Sequence, residues 1–207
     1  MKTYKWIIVT LVLLNISACF SLYTKRKEIQ LLIEKCLEYD FQMNYSIDNR
    51  NKLLLFSQLQ LRAENMEINN VTLTGKDDKE ISLYDLLTDT PKLIYYFSTS
   101  GCTGCYEPVL LKLDSISKVI GEDKILIVSD IPSKRIFESF IDGKFEHINL
   151  YRINEKFNLV KSPDYEFAYA FLLDKRAIAH KVIITDKSNV DFTDAYFASF
   201  IEFTKSQ

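Results

Sequence analysis

The chain has 207 residues, with 26 Lys and Arg against 28 Asp and Glu and a formal net charge of −2. Hydrophobic residues make up 47% and aromatics 13%, enough to bury a core, which excludes a disordered chain. The charges are interspersed, which excludes the basic footprint of a nucleic-acid-binding protein, and the length suits one globular domain with an N-terminal extension.

Lys2 and Lys5 precede nineteen uncharged residues, Trp6 to Thr24, and the triplet Lys25-Arg26-Lys27 closes the run. So apolar a run at the extreme N-terminus predicts a targeting or anchoring segment over residues 1–24 rather than a core helix. Two modes of anchoring compete. Ile16-Ser17-Ala18-Cys19 resembles the lipobox of bacterial lipoprotein precursors and makes Cys19 a lipidation candidate. Phe20, Leu22 and Tyr23 carry the apolar run past it, as an uncleaved signal anchor does, and this is the mode we adopt. In both, the rest of the chain faces the periplasm or the cell exterior. Two lysines and the amino terminus favour an inside N-terminus, although the triplet pulls the other way.

Residues 25–67 predict a helical juxtamembrane segment, one long helix or two. No Gly or Pro occurs from Lys25 to Ala63, and Ile29, Leu32, Ile33, Cys36 and Leu37 recur at helical spacing. Cys36 on this stripe reads as a small buried hydrophobe. Leu53, Leu54, Leu55, Phe56, Leu59 and Leu61 make the second half too apolar for a bare spacer, so it must pack on its own domain or on lipid headgroups. A homodimer through residues 25–63 is a further option, with Asp40 and Arg50 interrupting the heptad.

Residues 68–207 predict one α/β domain. A hairpin joins Val71-Thr72-Leu73 to Glu80-Ile81-Ser82-Leu83 around Gly75–Asp78, and Tyr84–Leu87 makes a short helix. Lys92–Phe97 is a continuous apolar strand of the kind buried in parallel sheets, and a helix marked by Val109, Leu113, Ile116 and Ile120 runs to Gly121. Ile125–Val128 is a second buried strand. A helix then begins at Pro132 with Ile136, Phe137 and Phe140 inward, His147–Leu150 forms a short strand, and Phe171–Leu173 with Lys181–Ile184 closes as a hairpin. Tyr196, Phe197, Phe200, Ile201 and Phe203 line a last helix. The order βαβ then ββα predicts a central mixed sheet flanked by helices.

Of the four cysteines, Cys19, Cys36, Cys102 and Cys105, only the last two stand close enough for a short turn to bring together. Zinc would need two more ligands, and His147 and His180 are distant, so no metal is expected. A Cys-x-x-Cys that follows a buried strand and opens a helix places its first sulfur over unpaired backbone N–H groups and the positive end of the helix dipole, which favour a thiolate. Cys102 is therefore the expected nucleophile. Cys105, one turn deeper, resolves the mixed disulfide, and no cofactor is needed beyond the redox-active Cys102–Cys105 disulfide.

Residues 68–207 resemble the thioredoxin-like, membrane-tethered thiol-disulfide proteins of the TlpA and AhpC/TSA-related group. Val71–Gly75 through Glu80–Leu86 resembles their opening hairpin and short helix, and Phe97-Ser98-Thr99-Ser100-Gly101-Cys102-Thr103-Gly104-Cys105 takes the place of their active-site turn. The resemblance implies a thioredoxin-like fold and an oxidoreductase whose partners are protein thiols or disulfides and an upstream redox protein. It makes Gly101, Thr103, Gly104 and Ala168 the substrate-binding positions. This chain departs from the family at three places: Gly101 where Trp is usual, Tyr96 where many thioredoxins carry a buried acid, and Ala168 where the family's cis-proline maps. Pro163 lies five residues too early to match that proline. For proton transfer, Glu107 and the Tyr96 hydroxyl are the remaining candidates. The alternatives are a non-enzymatic adaptor at the membrane and a peroxidase, for which Thr99 stands three residues before Cys102 but no proline stands at Tyr95.

Overall fold

In the computed structural model of the chain, residues 2–100, 103–141, 144–157, 159–162, 166–186 and 190–205 are described, with their side chains except at 2–19, 103–105 and 141. The chain divides into two units, residues 1–54 and residues 55–207. Helix α1 (Lys2–Ala63) runs through the first and ends in the second.

The second unit is built on a seven-stranded sheet among the described residues. Its strands are β1 (Thr72–Thr74), β2 (Glu80–Ser82), β3 (Lys92–Phe97), β4 (Ile125–Ser129), β5 (Asn149–Ile153), β6 (Ala168–Leu173) and β7 (Ala179–Thr185). They lie in the order β2-β1-β5-β4-β3-β6-β7, with β3, β4 and β5 mutually parallel and the remaining pairs antiparallel. The helices are α2 (Thr103–Ile120), α3 (Lys134–Ile141) and α4 (Val190–Lys205).

β3 is flanked by β4 and β6, and all six of its residues are buried. Alternation along the strand sends Leu93, Tyr95 and Phe97 to a core shared with Leu110 and Leu113 of α2 and Phe197 and Phe200 of α4. Ile94 and Tyr96 point to the opposite core, shared with Phe56, Leu59 and Ala63 at the end of α1. A strand covered on both faces needs apolar residues on both, which is why Leu93–Phe97 reads as an unbroken run, while Lys92 at its start is buried with its ammonium donating to the Asp123 carbonyl.

The end of α1 explains its apolar sequence only in part. Phe56, Leu59 and Ala63 lie on one helical face and are buried, whereas Leu53, Leu54 and Leu61 are exposed. Asn65, at φ +61°, stops the helix, and its N–H donates to the Ala179 carbonyl at 2.8 Å. The Glu64 carboxylate accepts from the N–H groups of Lys181 and Val182 at 2.9 and 3.2 Å, fastening the helix end to β7.

In the first unit, Ile29, Leu32, Ile33 and Leu37 are exposed. Cys36 is exposed with them, which corrects its reading as a buried hydrophobe: this stripe of α1 faces solvent and not a core. Among the described residues no helix is long and apolar enough to cross a membrane. The side chains of residues 1–19, which carry Cys19 and most of the Trp6–Thr24 run, lie outside the described residues.

Two predicted elements shift. β5 begins at Asn149, not His147, because the N–H groups of Glu146 and His147 donate to the Asp114 carboxylate at 3.0 and 2.8 Å instead of to a neighbouring strand. α3 begins at Lys134, where the Ser133 hydroxyl accepts the Ile136 N–H at 3.4 Å. The short helix turns Phe137 inward, with Phe140 partly buried beside it, and leaves Ile136 in solvent, contrary to the inward position expected for it.

Candidate functional site

β3 and β4 run parallel with Phe97 opposite Ser129, so the chain leaves β3 at Ser98 beside the residue that leaves β4, Asp130. β6 runs antiparallel to β3, with Tyr169 opposite Tyr96, so the approach to β6 reaches the same end of the sheet. Three segments from distant parts of the chain therefore converge where the Cys-x-x-Cys motif begins.

The turn after β3 is held from two sides. The Asp130 carboxylate accepts the Thr99 N–H at 2.9 Å and the Ser98 hydroxyl at 2.7 Å, and lies 3.4 Å from the Thr99 hydroxyl. Glu166, two residues before β6, faces Ser98 at 2.6 Å and accepts from the Ser100 hydroxyl through the same oxygen, Oε2. Ser98 is buried, and its Oγ also meets the Ser100 Oγ at 2.7 Å and the Ser100 N–H at 3.3 Å. Lys156, from the segment between β5 and β6, pairs with Oε1 of Glu166 and lies 3.9 Å from Asp130. Its ammonium and the Ser98 hydroxyl hold the Glu166 carboxyl below the usual carboxylate range, and Glu166 in turn raises the proton affinity of Lys156.

Behind the turn lies a cavity of about 320 Å³ floored by Tyr96, Phe157, Phe167 and Tyr169, with Ser98, Lys156, Lys161 and Glu166 at its polar rim. The Tyr169 hydroxyl donates to the Phe157 carbonyl at 2.7 Å and so ties the wall of the cavity to β6.

Thr103, Gly104 and Cys105 form the first turn of α2, the place expected for the second half of the motif. Gly101 and Cys102 lie outside the described residues. Pro108, inside the helix, has no N–H to give the Gly104 carbonyl, so this first turn has one backbone bond fewer than a regular helix. Ala168 opens β6, pairs with Thr185, and accepts the Thr185 hydroxyl through its carbonyl at 3.2 Å. Pro163 lies outside the described residues.

The two proton-transfer candidates fare differently from expectation. Glu107 is held on the surface by Lys144 at 3.1 Å. Burial pushes the Tyr96 hydroxyl far above the usual tyrosine range, with the charges of Asp130 and Glu166 adding to the effect, so at neutral pH it keeps its proton and serves as a donor, 3.5 Å from Asp130. Among the described residues, the carboxylates beside the turn are Asp130 and Glu166. His147, just before β5, faces Glu122 and His180, in β7, faces Asp174, with three strands between β5 and β7, and among the described residues no three metal-binding side chains converge.

No family model matches the chain, and no curated protein matches it. Solved structures do. A candidate protein disulfide isomerase from Bacteroides thetaiotaomicron superposes with a TM-score of 0.52 at 14% identity, over 69% of this chain and 87% of that one. A thiol:disulfide interchange protein from a Bacteroides species gives 0.47 at 17% identity, over 67% and 90%. Thioredoxin peroxidase I of Plasmodium yoelii gives 0.48 at 14% identity, over 69% and 89%. The second unit thus shares the fold of the Bacteroides thetaiotaomicron structure, a mixed sheet flanked by helices.

Proposed function

We propose that the chain exchanges thiols and disulfides with protein partners through Cys102 and Cys105, held outside the cytoplasmic membrane by residues 1–24. The reading is supported by one observation: residues 103–105, the second part of the motif in sequence, open the eighteen-residue helix α2, with residues 98–102 between it and the fully buried strand β3. An N-terminal helix turn supports a thiolate at its opening cysteine, by about 1 kcal/mol from the helix terminus alone.

The Cys102 thiolate attacks one sulfur of the partner's disulfide, forming a Cys102–partner disulfide and releasing the partner's other sulfur as a thiolate. Cys105, deprotonated, then attacks the Cys102 sulfur, which forms the Cys102–Cys105 disulfide and releases the second partner thiol. Two electrons pass from the dithiol to the partner, and the reverse sequence oxidises a partner dithiol. An upstream redox protein resets the pair. The anchor is an uncleaved apolar segment or a lipid on Cys19, and mass spectrometry of the mature N-terminus separates the two.

The test is the asymmetry of the two cysteines. Cys105→Ser should accumulate reducible mixed disulfides with membrane-exposed partners, and Cys102→Ser should accumulate almost none. Equal trapping by both variants, or none by either in an excess of oxidised partner proteins, would replace exchange by a non-catalytic adaptor role.

A further inference from the structure

We propose that Glu166 is a positioning residue for the redox turn: its carboxylate joins Ser98 and Ser100 after β3 to Lys156 in the β5–β6 segment, and so fixes the chain that leads into Cys102. This rests on the thiol-exchange reading of Cys102 and Cys105.

The work of the two carboxylates is divided. Asp130 holds the turn at Thr99, through a backbone N–H at 2.9 Å, and reaches Ser98. Glu166 holds it at Ser98 and at Ser100, two residues before Cys102 in sequence. A span of two residues covers at most about 7 Å, so whatever orders Ser100 limits where Cys102 can lie. Glu166 also uses its two oxygens for different neighbours, Oε2 for the serines and Oε1 for Lys156. A glutamine could keep both contacts, its oxygen accepting from Lys156 and its NH₂ donating to the serine oxygens, and would lose only the charge, whereas a leucine removes the tie altogether. Among the described residues, Asp130, Lys156, the Tyr96 hydroxyl and Lys161 are the other ionisable groups around it, and of these only Lys156 bonds to it directly.

The test uses the full chain in detergent with two readouts. The first, amide hydrogen exchange at Ser100, needs no activity. The second is kcat and KM for insulin-disulfide reduction with dithiothreitol as the electron source. Glu166→Leu and Lys156→Met should each speed Ser100 exchange about tenfold while the amides of β3 keep their protection. Each should lower kcat about tenfold with KM within twofold, because attack geometry and not partner docking is disturbed. Lys156→Arg, which keeps an ion pair, should restore most of kcat. An active wild type with unchanged Ser100 exchange and unchanged kcat in Glu166→Leu overturns the positioning role alone. A wild type inactive toward insulin and toward glutathione disulfide overturns the thiol-exchange reading, and with it any role of Glu166 in exchange.

Discussion

The bond from the Tyr169 hydroxyl to the Phe157 carbonyl should be among the costlier single hydrogen bonds of the second unit to remove. Tyr169 is 1% exposed and Phe157 6%, and the bond is 2.7 Å long. Tyr169→Phe keeps the ring and its contacts with Tyr96 and Phe171, at centroid distances of 5.1 and 6.1 Å, so no cavity larger than a hydroxyl is made. What changes is that a buried carbonyl loses its donor where water cannot replace it. An unsatisfied buried acceptor costs about 1–3 kcal/mol. For a domain of this size that lowers the melting temperature by roughly 2–4 °C per kcal/mol, so by several degrees. Thermal unfolding of the full chain in mild detergent, followed by circular dichroism, measures it. A melting temperature within about 1 °C of wild type would refute the reasoning, since it would mean that the carbonyl finds another donor or that the β5–β6 segment is not held to β6 by this bond.

Three further outcomes are expected. Phe97→Ala removes a ring stacked on Tyr106 at 4.5 Å and tilted against Phe140 at 5.6 Å; it should cost about 3–5 kcal/mol in denaturant titration, and a cost below 1 kcal/mol would deny that α2 and α3 are packed on β3 through this ring. Because the Glu166 carboxyl is held below its unfolded value by Lys156 and Ser98, its stabilisation should be present above the ordinary carboxylate range and fade as pH falls through the depressed value. The stability gap between wild type and Glu166→Gln should therefore narrow from pH 7 to pH 3, and a gap independent of pH would count against the ion pair. Gly121→Ala places a methyl 2.9 Å from an Asp123 carboxylate oxygen at φ +108°, a conformation that L residues rarely adopt; it should destabilise by about 1–3 kcal/mol by the same titration, and a neutral effect would show that the α2–β4 turn relaxes freely.

Most of the second unit was legible because its elements obey local rules. The apolar run Lys92–Phe97 and the run Ile125–Val128 could be recognised as buried strands from composition alone, and Gly121 as the stop between them, because each signal is contained in a few adjacent residues. The shift of β5 came where a side chain distant in sequence took over a backbone partner. Asp114 captures the N–H groups of Glu146 and His147 across more than thirty residues and delays β5, and no periodicity near His147 announces that. The exposed apolar residues of α1 show a different limit. Helical spacing identifies a face, but it does not say whether anything covers that face, so Cys36 and Phe56 look alike in sequence and differ in burial.

The site divides along the same line. Cys102 and Cys105 were singled out because the motif and its flanking elements lie in one short stretch, and Cys102 is outside the described residues. Asp130, Lys156 and Glu166 were not, although one clue was present: two adjacent parallel strands bring their C-terminal ends together, so an acid immediately after Ile125–Ser129 falls beside the turn after Lys92–Phe97. Asp130 could have been found by that argument once the two strands were paired in register. Glu166 required more, since its place beside Ser98 depends on β6 lying next to β3 on the side away from β4, and on the path by which the chain enters β6. Tyr96 stands within the strand where the resemblance would have placed an acid, and the two acids found near the turn, Asp130 and Glu166, come from outside that strand. They lie at the mouth of the turn and not beneath it, where a carboxylate can remain ionised against Lys156, while the buried place is occupied by a tyrosine that holds its proton.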